Sequence, residues 1–129
     1  MKFLKIVIAA GGAYEAVMGL IMAFFIRGLF ALMGAPIAIA PLIFPRTVAV
    51  LALTFGLLML IAARDPERHL AIPLVSIILR VLIQIPIMLG IRELTQLTLP
   101  LLGFGAFDLA FAVVTAVAIH RSGIDWKKW

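Results

Sequence analysis

The chain has 129 residues, of which 65% are hydrophobic and 13% charged, with a formal net charge of +5 and no cysteine. A soluble domain is roughly 45–50% apolar and about 25% charged, and a fold this small buries only about two-thirds of its chain surface. A soluble enzyme domain, a disordered chain and a DNA-binding module are therefore excluded, and a bilayer is the expected environment. Without cysteine there are no disulfides, no thiolate metal site and no thiol redox chemistry, and the basic residues sit mostly at the ends of apolar runs, where membrane topology explains them better than a nucleic-acid partner.

A bilayer core of about 30 Å takes roughly 20 apolar residues in a helix. Four stretches meet that length, at residues 4–26, 46–63, 70–91 and 99–119. They leave no soluble segment over, so residues 1–129 read as one domain: an all-α, polytopic membrane protein whose four transmembrane helices form an antiparallel bundle. The first span opens on Lys2 and Lys5 and carries small residues from Ala10 to Ala13, as a secretory signal does. The apolar run before them is too short and continues past any cleavage point, which predicts a retained helix. The following connection, residues 27–45, is almost wholly apolar and contains Pro36, Pro41 and Pro45. It is expected to lie in the interface or pack on the protein or a partner, with residues 24–33 either extending the first helix or forming a short interfacial one.

Asp65-Pro66-Glu67 reads as a helix start: a capping Asp, Pro at the first helical position, and an acid near the positive end of the helix dipole. Spans two and three are thus expected to form a tight antiparallel hairpin. Pro86 removes a donor inside span three and frees the carbonyl of Leu82, which predicts a kink. Thr98 is placed to cap span four, with Pro100 in its first turn and Gly123 as its stop. Beyond it, Trp126 and Trp129 interleave with Lys127 and Lys128, a pattern suited to the headgroup region.

Lys and Arg set the expected orientation. Lys2, Lys5, Arg64, Arg68, Arg121, Lys127 and Lys128 fall on one side of a four-span chain, and only Arg27, Arg46 and Arg92 on the other. Both termini are therefore expected in the cytoplasm. The three outer arginines read as headgroup contacts, snorkelling to phosphate, or as a mouth that recruits an anionic ligand, an idea that Glu93 beside Arg92 weakens.

The midpoints of the spans fall near Glu15, Thr54, Arg80 and Asp108. An ionisable group at the bilayer centre costs at least roughly 2.5–3.5 kcal/mol, so the three are expected to face one another inside the bundle. The five donors of a guanidinium can bridge two carboxylates. With both acids ionised the cluster carries about −1, an expensive charge at that depth that a proton on either acid would remove. Gly11, Gly12 and Gly19 flank Glu15, Gly105 and Ala112 share the face of Asp108, and Ser76 and Gln84 lie one turn either side of Arg80. Small and polar residues at helical spacing mark inward faces in lipid. Two readings stay open: a structural ion knot that sets helix register, and a ligand-binding or proton-handling site. His69 and His120 fall at the same ends of spans three and four. They read as interfacial histidines, with a bis-His haem as the alternative. The nine phenylalanines read as packing or lipid-facing residues.

Tyr14-Glu15 followed by Gly19-Leu20, Arg64-Asp65-Pro66 at the second connection, Arg80 in helix three and Asp108 in helix four resemble the DoxX-like group of small bacterial four-helix membrane proteins. The resemblance covers most of the chain in layout and rests on few residues. It implies a bacterial inner (plasma) membrane location and, from relatives linked to quinone-dependent sulfur oxidation or oxidative-stress complexes, a quinone-side or accessory subunit. The residues themselves contain no phosphate loop, metal-ligand spacing or nucleophile triad. The first expectation is a non-catalytic accessory or assembly subunit, whose partners are the bilayer and other membrane subunits or a second copy. The alternative is a binding or transport protein that takes a small amphipathic, lipid- or quinone-like ligand at Glu15, Thr54, Arg80, Gln84 and Asp108. A membrane enzyme with Glu15 or Asp108 as acid or base is the third.

Overall fold

In a computed structural model, residues 1–34 and 42–125 are described. Pro36 and Pro41 of the apolar connection, and Trp126, Lys127, Lys128 and Trp129, lie outside the described residues.

The apolar runs form helices α1 (Lys2–Leu32), α2 (Ile43–Ala62), α3 (Ala71–Leu82), α4 (Gln84–Glu93) and α5 (Thr98–Ser122), with a single 3-10 turn at Thr95–Leu97. The segment Ala71–Glu93 makes one span from α3 and α4, so four helices among the described residues are long and apolar enough to cross a membrane, the pattern of a multi-pass membrane protein. Large apolar side chains stand exposed along the bundle, from Ile6 and Val17 to Leu57, Ile78 and Val113. In water that surface would be a liability; in lipid it is the ordinary exterior.

Residues 24–33 extend the first helix and do not form a separate one. At 31 residues α1 is about 46 Å long, well over the hydrocarbon thickness. It bends at Phe25 (φ −125°, ψ 19°) and ends at Gly34, whose φ of +76° is the left-handed conformation that stops a helix. Gly123 stops α5 in the same way, with φ +75°. The third span breaks at Ile83, three residues before Pro86, where the proline ring crowds the preceding turn and offers no N–H to the carbonyl of Leu82.

Two expected caps take a different form. Asp65 Oδ1 accepts the N–H of Arg68 at 3.4 Å, so Asp65 caps a turn over residues 66–70, and α3 itself begins only at Ala71. The Thr98 hydroxyl does not cap α5. It donates to the carbonyl of Thr95 at 2.8 Å, because the 3-10 turn before it already supplies a closer acceptor.

The most extensive packing joins α1 and α2. A Cβ at Gly12 would come within 2.8 Å of the Gly56 carbonyl, and one at Gly19 within 2.6 Å of the Leu53 nitrogen. The pairing runs from residues 12 with 56 to 19 with 53 and 49, so the two helices are antiparallel and held at near backbone contact, the packing that small residues allow in lipid. α3 packs mainly on α5 and only sparingly on α2, so the expected tight hairpin of spans two and three is a close connection with little helix–helix contact. The densest core lies at the end of the bundle that carries the N-terminus: Leu4, Val7 and Ile8 of α1, Met59 and Ala62 of α2, Leu70, and Ala118 and Ile119 of α5.

Candidate functional site at the buried ion cluster

Arg80 leaves α3 about ten residues into the third span and points into the bundle, where only 2% of it is exposed. Its Nη2 donates to Glu15 Oε1 of α1 at 2.8 Å, and its Nη1 donates to Asp108 Oδ1 of α5. Three helices are thus tied through one guanidinium, as the depth of these residues predicts. Gln84, one turn on, donates from Nε2 to the carbonyl of Arg80 itself at 2.9 Å. A Cβ at Gly105 would stand 2.8 Å from Gln84 Oε1, so the glycine on the face of Asp108 makes room for the Gln84 amide.

Thr54 does not join the cluster. It is exposed, and its hydroxyl donates to the Val50 carbonyl of its own helix at 2.8 Å. A hydroxyl, unlike a charge, can be satisfied by the i−4 carbonyl in any surroundings, so depth alone did not oblige it to face inward. Thr115 and Ser76 are both buried, and the Thr115 hydroxyl bonds the Phe111 carbonyl at 2.8 Å.

Aromatic rings complete the lining. The Arg80 guanidinium carbon lies 4.9 Å from the centre of the Phe111 ring and 5.7 Å from that of Tyr14, within cation–π range. Phe107 bridges them, with centroid distances of 4.9 Å to Tyr14 and 5.9 Å to Phe111. A Cβ at Gly11 would meet the Phe111 ring at 2.8 Å, so Gly11 admits the ring that covers the cation. Phe107 and Phe111 carry no polar signature, and only their i, i+4 spacing around Asp108 could have pointed to them, whereas Tyr14 stands out in the sequence beside Glu15. Arg80 Nε is buried and has no hydrogen-bond partner among the described residues.

A cavity of about 330 Å³ opens from this cluster. Its polar floor is Glu15, Arg80, Asp108 and Tyr14. Its walls are apolar and run along α1 to Met33, along α4 to Ile87 and along α5 to Leu101, that is, away from the packed core. The ion cluster therefore separates a dense half of the bundle from a hollow half.

The remaining candidates lie apart. Arg27, Arg46 and Arg92 are exposed, at the ends of α1, α2 and α4 that neighbour the hollow half. His69 Nδ1 donates to the Asp65 carbonyl at 3.1 Å, while His120 is exposed and lines a groove with Leu74 and Ile77. The described residues contain no group of three or more His, Cys, Asp and Glu side chains placed to hold a metal ion. Comparison with protein families, curated proteins and solved structures finds no match to this chain.

Proposed function

We propose that the chain is a binding protein of the bacterial plasma membrane, with both termini in the cytoplasm, that takes a small amphipathic, lipid- or quinone-like molecule into the cavity above Glu15, Arg80 and Asp108. The observation that carries this reading is the cavity: about 330 Å³, apolar along its walls and charged at its floor. Small-molecule sites are clefts of about 300–1,000 Å³ with mainly apolar walls and a few convergent polar groups. Of the six residues within the spans that carry the likeness to the DoxX-like group, Tyr14, Glu15, Arg80 and Asp108 line this site and Gly19 and Leu20 do not, and membership of that group is part of the proposal. The accessory-subunit expectation leans on the apolar connection, of which residues 35–41 lie outside the described ones.

Native mass spectrometry of the chain, extracted gently from its own membrane, tests the reading. The expected result is a small molecule retained at one per chain, and lost from Ala52→Phe, a substitution that fills the cavity from α2 and leaves Glu15, Arg80 and Asp108 unsubstituted. A chain that retains nothing, and emerges only within an assembly of defined mass, would reject ligand binding in favour of the accessory role.

A further inference from the structure

The charge presented to the cavity selects among amphipathic ligands. Tyr14, Glu15, Arg80 and Asp108 are the titratable side chains that line it. With the acids ionised they sum to −1. The two signs are also unequally displayed: the Glu15 and Asp108 side chains keep 16% and 14% of their surface accessible, whereas Arg80 keeps 2%. Each carboxylate spends one oxygen on Arg80, and no hydrogen bond reaches Glu15 Oε2 or Asp108 Oδ2 among the described residues. The cation is thus withdrawn behind its partners and capped by Phe111, while carboxylate oxygens remain for an incoming group.

From this we infer that the ligand is a monovalent lipophilic cation, an ammonium-like centre on an apolar body; the inference rests on the binding reading above. Such a ligand brings the cluster to neutrality, which a low-dielectric site favours strongly. Anions meet a negative floor, and beside a neutral head the −1 is removed only by a proton on one of the acids, which a bound cation replaces. Tyr14 and Phe104 add aromatic rings, which attract cations, to the lining. Met18, Met22 and Met33 supply flexible, polarisable walls that adapt to the shape of an organic body. A bare alkali ion is a poorer fit, because the walls offer no ring of oxygens to replace its water.

The test uses the full chain in nanodiscs of zwitterionic phosphatidylcholine, with empty discs as background. Uptake of three aryl probes is measured by equilibrium dialysis: tetraphenylphosphonium, its anionic analogue tetraphenylborate, and neutral triphenylphosphine oxide. The expected result is saturable uptake of tetraphenylphosphonium, near one per chain, with no saturable component for the other two. Glu15→Gln, which brings the floor to neutrality, is expected to weaken that uptake at least tenfold, and Glu15→Asp to retain it. Ala52→Phe is expected to abolish it with the ion cluster intact, which keeps the inference testable if Glu15→Gln fails to fold. Saturable binding of the neutral or anionic probe in preference to the cation would overturn the charge assignment and leave the binding reading standing. Absence of saturable uptake of any probe, in a chain that retains a native small molecule on extraction, would overturn the inference alone. Absence of both would overturn both.

Discussion

Arg80 holds a position that few residues could fill. Its guanidinium is buried and serves two carboxylates on two other helices. Removing it leaves two partly buried negative charges, whereas removing one acid leaves a matched pair. The costs should therefore be unequal. Arg80→Leu is expected to lower stability by about 3–5 kcal/mol, the scale of an uncompensated buried charge. Glu15→Gln is expected to cost less. The triple change Glu15→Gln, Arg80→Leu, Asp108→Asn is expected to recover most of the loss, because no charge is then left unpaired. Thermal unfolding in nanodiscs measures all three, and an Arg80→Leu chain as stable as the parent would show that the carboxylates are satisfied by something other than Arg80.

Between elements, the closest approach is the seam of α1 and α2. A Cβ at Gly56 would lie 2.5 Å from the Ala16 nitrogen and 2.7 Å from the Gly12 carbonyl. Both obstacles are backbone and cannot rotate aside, so Gly56→Ala is expected to push the helices apart and cost about 1–3 kcal/mol. Gly28, on the same helix as Gly12 but with open space around it, gives the control: Gly28→Ala should leave the unfolding midpoint unchanged or slightly raised, since alanine is the better helix former. Equal effects at the two positions would mean that the seam is not the tight contact described. The seam also marks what was legible in the chain. Gly12 and Gly19 flank Glu15 at helical spacing, and small residues in an apolar run have few uses other than close packing. Glu15, Arg80 and Asp108 were legible because charges at one depth in lipid must find one another. Thr54 was misplaced because a hydroxyl can be satisfied by its own helix. The cavity was not legible at all, since its volume is set by side chains of four spans together and no one run encodes it. Phe111 was hidden for a related reason: a ring over a cation looks, in sequence, like any other apolar residue.

At the scale of the whole molecule, the bundle is packed at one end and hollow toward the other, with the ion cluster between. Which side of the membrane the cavity faces then depends on orientation. Four spans put the start of α1, the end of α5 and the turn at residues 63–70 on one side, and among the described residues that side carries five lysines and arginines against three on the other. Short loops rich in Lys and Arg are retained in the cytoplasm, so in the proposed orientation the hollow half is expected to face the leaflet away from the cytoplasm and to load from there. The chain has no cysteine, so a single introduced thiol reports its own location. Glu67, in the turn before α3, and Gln96, in the 3-10 turn before α5, are both exposed. In intact spheroplasts a membrane-impermeant maleimide is expected to label Gln96→Cys, and to label Glu67→Cys only after permeabilisation. The reverse pattern would turn the cavity toward the cytoplasm, and the ligand would then have to come from the cell interior or the inner leaflet.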